Sequence, residues 1–178
     1  FIKVHFNKNR ETSVKYAEKG KGPSDASSAV GCTYETAVSD FEATAATFKT
    51  RGTTTVFHII QSWSPEDSQK LTAEQFNEIG RKMVMEYLPD HQAKIDTHTD
   101  TGKTHNHIMV SMINMQTGKK LENKKYHLYR LREISDRLCL ENGLSVINQK
   151  AQERRAQLPE AVKRMEKFNR RSYLIDTM

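Results

Sequence analysis

The chain has 178 residues, 28 Lys and Arg against 22 Asp and Glu, and a formal charge of +6. That length supports one domain with a real core and is short for two, while the charge favours a polyanionic partner without deciding a fold. There is no apolar run of transmembrane length, no signal peptide and no initiator Met, and Cys32 and Cys139 look unmatched; the expectation is a soluble piece of a longer or processed protein, cytoplasmic and not membrane-inserted.

Phe1 to Phe6 alternates weakly and predicts a strand. The polar Asn7 to Gly22 reads as a short helical or turn segment leading into a Gly/Ser-rich loop through Ser28. Thr33 can cap a helix carrying Val38, Phe41, Ala45 and Phe48, ended by Arg51-Gly52. Thr53 to Ser62 is the strongest strand, with His58, Ile60 and Ser62 on one face and Phe57, Ile59 and Gln61 on the other; His58 looks either to a functional face or into the core. Leu71-Thr72-Ala73-Glu74-Gln75-Phe76 is a capping box with a hydrophobic staple, opening a helix that Pro89 stops. After two central strands, Gln116 to Lys120 is a turn into another short strand. Leu128, Leu131, Ile134 and Leu138 mark a helix closed by Gly143, with Leu144 packing back on it. Beyond Val146 the pattern is charged and helical. The layout is α+β, a central antiparallel sheet with helices packed on one face, in two layers.

Between those elements lies Thr97-His98-Thr99-Asp100-Thr101-Gly102-Lys103-Thr104-His105-Asn106-His107, which holds three of the seven histidines. Alternate side chains of a strand share a face, so His105 and His107 point the same way, and Ile108, Val110 and Met112 point the other. A second strand upstream, Ala93 to Asp100, alternates similarly. A two-residue Gly102-Lys103 turn would set His98 opposite His107 and Asp100 opposite His105; a longer Thr-rich loop would shift that pairing but keep His105 and His107 together. Imidazoles on such a grid can converge on one cation, and three of them with open positions suit catalysis better than a closed structural site. Basic residues gather in three patches: six Lys/Arg against two Glu over 1–21, six against one over 117–132, and seven against four over 151–178. Together they favour nucleic acid over a small substrate.

The ordered set Thr-His-Thr-Asp-Thr and His-Asn-His-Ile, preceded by Phe57-His58-Ile59-Ile60-Gln61-Ser62-Trp63 and followed by Leu138-Cys139 and Gly143-Leu144-Ser145-Val146-Ile147, resembles the relaxase/mobilisation nuclease family of conjugative transposons and mobilisable plasmids, MobP-like, within the HUH nucleases. The resemblance runs from about Val14 to Ile147 and implies an HUH relaxase-like sandwich over 1–148 with a basic helical extension over 149–178. It also implies that His98, His105 and His107 hold a divalent metal, Mg or Mn, with no nucleotide cofactor. Tyr16, in Val14-Lys15-Tyr16-Ala17-Glu18-Lys19, carries over as the nucleophile that cuts one DNA strand, with Tyr34 the runner-up. Ser111 stands where the family often has Asn, while Asn114 matches.

Under that reading Tyr16 attacks a phosphodiester in line, leaving a 5′-phosphotyrosyl link and a free 3′-OH that rejoin without ATP. Asp100 is the first candidate to orient a ligand imidazole and accept a proton, and His58 is a helper. Lys19, Lys21, Lys119, Lys120, Lys124, Lys125, Arg154 and Arg155 are the expected DNA contacts, and single-stranded and hairpin DNA at a transfer origin the substrate. Accessory relaxosome proteins and a coupling protein are the expected partners. Rival readings are a rolling-circle replication initiator, a basic DNA-binding module with a structural ion, and a water-using metal phosphodiesterase.

Overall fold

The computed structural model describes residues 1–7, 24–49, 56–100, 102–122 and 126–146. Five strands, β1 (Ile2–Asn7), β2 (Ala26–Val30), β3 (Val56–Ser62), β4 (His91–His98) and β5 (His105–Asn114), form one sheet in the order β1-β3-β5-β4-β2. Every neighbouring pair is antiparallel. Three helices accompany it: α1 (Ala37–Thr47), α2 (Ala73–Tyr87) and α3 (Tyr126–Glu141). The chain divides into two compact units, 1–144 and 145–178, and these strands and helices all belong to the first.

One face of the sheet is the core. Phe57, Ile59, Ala93, Ile95, Ile108 and Val110 are fully buried there, and α2 and α3 bring Phe76, Met83, Val84 and Leu131 with no exposure. The α2 N-terminus is built as its sequence predicts: the Thr72 amide donates to Gln75 Oε1 at 2.8 Å and the Gln75 amide to Thr72 Oγ1 at 3.3 Å. This satisfies two amides that a helix start otherwise leaves open. α2 then lies so close to β5 that a Cβ on Gly80 would stand 2.5 Å from Asn106 Nδ2. Glycine is what allows that approach. α3 ends at Gly143, which takes φ 71, and the Leu144 amide donates back to Cys139 O at 2.9 Å.

Threaded through this apolar layer is a chain of buried amides and hydroxyls. Asn77 Nδ2 donates to Thr97 Oγ1 and Ile95 O, Thr97 Oγ1 donates to Asn106 Oδ1, Asn106 Nδ2 donates to Gln61 Oε1 and Phe76 O, and Gln61 Nε2 donates to Ser135 Oγ. β3, β4 and β5 are thereby tied to both α2 and α3. Satisfied networks of this kind specify one packing, because any other leaves polar atoms stranded in a low dielectric.

The expected α+β sandwich stands, with one addition. α1 packs on the opposite face, where Val38 meets Val56 and Met109. It covers the Val56 and Met109 end of that face. Several local expectations change. The helix expected to be capped at Thr33 begins at Ala37, because Asp40 Oδ2 accepts from the Thr33 amide and the Thr36 hydroxyl instead. It ends at Thr47; Arg51-Gly52 lies outside the described residues. The loop expected through Ser28 contains strand β2, whose Ala-Ser-Ser-Ala-Val lacks β pattern and is ordered by pairing with β4. The strand expected after Gln116 is a single bridge between Ile113 and Lys120.

Candidate metal and DNA-processing site

β4 and β5 carry the three histidines. His98 pairs directly with His105, and Asp96 pairs with His107. Directly paired residues share a face, so His98, His105, His107 and Asp96 all project from the same side. The two-residue turn expected at Gly102-Lys103 is therefore replaced by a longer Thr99–Thr104 connection, with Gly102 at φ 67. Both ends of it are held: Asp25 Oδ2 accepts from the Thr99 amide and hydroxyl at 2.8 Å, and the Thr104 amide donates to Ser68 Oγ at 2.8 Å. Those anchors, distant in sequence, set the register. Asp100 moves into the connection and does not face His105.

Ring centroids are 5.4 Å apart for His98 and His105, 5.6 Å for His98 and His107, and 5.1 Å for His105 and His107. Three imidazoles bound to one ion at about 2.0 to 2.2 Å from each nitrogen have centroids about 5 Å apart. The spacing thus fits a shared cation. Among the described residues no group of three or more His, Cys, Asp or Glu is already arranged to hold a metal ion.

The donor chemistry also fits. His105 Nδ1 lies 3.1 Å from Lys103 O, an atom that only accepts, so Nδ1 carries the proton and Nε2 keeps its lone pair. His107 Nδ1 lies 2.9 Å from His58 Nε2. With that proton donated from His107 to His58, Nε2 of His107 is the nitrogen that would face a cation. Burial first, then the neighbouring His105 and His98, hold His107 down at about 4, with Asp100 opposing. Burial, then His107 and His5, push His58 down to about 3. Both rings are therefore neutral at pH 7, the form in which imidazole binds a cation.

His58 thus turns to the histidine face rather than into the core. Next to the triad, Asp96 Oδ1 accepts from the Tyr34 hydroxyl at 2.5 Å and from Ser27 Oγ at 3.4 Å. Lys94 Nζ sits 3.7 Å from the Tyr34 ring centroid and donates to Tyr34 O. Sequence reasoning passed over Asp96, Lys94 and Ser27. The signal for Asp96 was the Thr-rich connection itself, since lengthening the turn brings Asp96 across from His107.

Tyr16, Lys19, Lys21, Lys124, Lys125, Arg154 and Arg155 lie outside the described residues. Lys119 and Lys120 follow β5 at its far end from His105, about 30 Å away at roughly 3.4 Å per residue, so the structure does not gather them at the triad. Ser111 is buried and lies beside Val56, away from the rings.

A family model described as "Relaxase: MobA/VirD2-like, nuclease domain" matches residues 7–144. The chain belongs to that family. A protein named rlx from Staphylococcus aureus is 33% identical over 155 residues, 87% of this chain and 45% of that protein. The group II intron-interrupted relaxase LtrB of Lactococcus lactis subsp. cremoris is 33% identical over 104 residues, 51% of this chain and 18% of that protein. This relaxase domain therefore spans less than half the length of the curated relatives it matches. Two solved structures share its fold at 10% identity. One, reported under "Molecular Basis of Vancomycin Resistance Transfer in Staphylococcus aureus", has TM-score 0.57 and covers 82% of this chain and 95% of its own. The conjugative relaxase TrwC, solved with oriT DNA and metal, has TM-score 0.55 and covers 80% of this chain and 69% of its own.

Proposed function

We propose that this relaxase domain nicks one DNA strand at a transfer origin by tyrosine transesterification, with Tyr16 as the nucleophile and His98, His105 and His107 as ligands of a divalent ion, Mg or Mn. The observation that carries the reading is the projection of three imidazoles from one face of paired strands, two of them with Nδ1 already engaged. A bound divalent ion supplies charge neutralisation at a non-bridging phosphate oxygen. The protein's own residues do the rest. Lys103 O and His58 hold the His105 and His107 rings in the tautomer that offers Nε2. The Tyr16 oxygen forms a bond to phosphorus as the bond to the 3′ oxygen breaks, so a 5′-phosphotyrosyl ester and a 3′-hydroxyl result. The ester is conserved, and the reverse attack rejoins the strand.

Asp100, whose charge acts on His107, stays the candidate for orienting a ligand imidazole and accepting a proton, and His58 the helper; Asp96, across from His107, is a second carboxylate on the same face. Lys19, Lys21, Lys119, Lys120, Lys124, Lys125, Arg154 and Arg155 contribute phosphate contacts. Relaxosome proteins and a coupling protein are the expected partners, in the cytoplasm. No helix among the described residues is long and apolar enough to cross a membrane. The test is incubation with single-stranded origin DNA and Mg²⁺ or Mn²⁺, then a search for an SDS-resistant protein-DNA band. Tyr16→Phe is expected to abolish the band, and a band that persists in that variant overturns the assignment.

A further inference from the structure

At the end of β5 remote from the histidines, the turn after Asn114 and the start of α3 enclose a cleft of about 430 Å³ whose lining includes His91, Lys119, Lys120, Tyr126 and His127. Its floor is built rather than incidental. His127 is buried, its Nε2 donating to Glu122 O and its Nδ1 accepting from the Tyr87 hydroxyl, both at 2.6 Å. His91 Nδ1 donates to Ser111 O at 2.8 Å. Asn114 Oδ1 accepts from the Gln116 and Thr117 amides at 2.9 Å, which holds the turn that carries the lysines.

Tyr126 lines the cleft and is not buried by the fold, and Tyr129 stands exposed beyond the lining on the same helix. Tyr126 is 49% exposed and Tyr129, one turn further along α3, is 69% exposed. The Tyr126 ring lies stacked on His127 at 4.5 Å and 29°, which fixes the plane it presents outward. Lys119 is exposed and Lys120 half-buried beside them.

We propose that this cleft binds single-stranded DNA, with a base stacked on Tyr126, the next base on Tyr129, and the flanking phosphates on Lys119 and Lys120. The inference rests on the DNA-nuclease function proposed for the histidine face and adds to it a second contact point, about 30 Å from His105 along β5. Exposed aromatic planes beside cations are the combination that holds unpaired strands, because every base has a stacking face and every linkage a charge. The volume lies within the range of small-ligand clefts and is sufficient for one nucleotide. At that distance the cleft contributes affinity and placement, not bond-making.

The test uses the full 178-residue chain and a fluorescent oligothymidylate of about 20 nucleotides, with affinity read by anisotropy at several salt concentrations. Tyr126→Ala with Tyr129→Ala is expected to weaken binding about tenfold or more, the worth of one lost stack. Lys119→Ala with Lys120→Ala is expected to reduce the slope of log affinity against log salt by about 1.4, at roughly 0.7 per phosphate contact on a single strand. Melting curves of both variants check that they fold. Affinity of the tyrosine variant within about twofold of the parent, or an unchanged salt slope in the lysine variant, overturns the proposal. The nuclease reading fails separately: a parent chain that binds the oligonucleotide with these sensitivities but yields no SDS-resistant adduct on origin DNA keeps the cleft and loses the reaction.

Discussion

His107 meets more of the site than any other side chain: it pairs across the strand with Asp96, shares a hydrogen bond with His58 and stands 5.1 Å from His105. Removing its hydrogen-bond partner His58 should therefore be felt at the proposed metal site. His58→Ala is expected to weaken divalent-ion binding about 10- to 100-fold, measured by calorimetric titration, as losses of ligand-orienting partners do. His105→Ala should abolish strand cutting while retaining much of the non-specific DNA affinity, which is mostly electrostatic; equal loss of both in a paired cleavage and binding assay would mean a folding defect. The titration of the cluster also has a sign. An unfolded imidazole takes a proton near 6.5, whereas His107 and His58 resist it to about 4 and about 3. Between those values the unfolded chain binds more protons, so this contribution to stability is complete above about pH 6.5 and is lost as pH falls toward about 3 to 4. The urea midpoint of the metal-free chain is expected to be lower at about pH 5 than at about pH 7.5.

Elements position these residues through contacts on the other side of the sheet. Asn106, between His105 and His107, points into the core and is tied to Phe76 O and Gln61 Oε1; Thr97, beside His98, joins it through Asn106 Oδ1. The strands that present the imidazoles are thus gripped from behind by α2. Gly80→Ala tests the grip. Alanine favours an isolated helix over glycine by about 1 kcal/mol. Here its Cβ would stand 2.5 Å from an Asn106 nitrogen that two hydrogen bonds hold in place. Overpacking at about 1 to 3 kcal/mol wins, so the variant should melt lower and bind the metal more weakly. A melting temperature at or above the parent's would show that α2 does not constrain the site.

Across the whole first unit, the sheet divides its labour by face. One side is covered by α2 and α3, while on the other α1 packs on Val56 and Met109 at one end and His58, His98 and His107 lie buried toward the other. The apolar side, with Phe57, Ile59, Ile95 and Ile108 fully buried, holds the core on which folding mainly draws. EDTA treatment is expected to leave the circular dichroism spectrum and most of the thermal stability intact while removing the covalent adduct. Unfolding on chelation would instead mark a structural ion, as in domains whose metal supplies their folding energy.

Four of the five strands and the long helices were legible in the sequence because each depends on local pattern: apolar alternation in β3 and β5, the Thr72/Gln75 box of α2, the Gly143-Leu144 end of α3. The common face of His105 and His107 follows from strand geometry alone, whatever the partner strand does. What lay beyond local reading was decided by contacts between distant segments. Asp25 and Ser68 anchor the Thr99–Thr104 connection, which shifts the hairpin pairing and puts Asp96, not Asp100, in the facing row. β4 gives Ala-Ser-Ser-Ala-Val a ladder to join, making a strand of residues with little preference for one. A side-chain pattern tells which residues share a face; only the folded chain determines which residues stand opposite them.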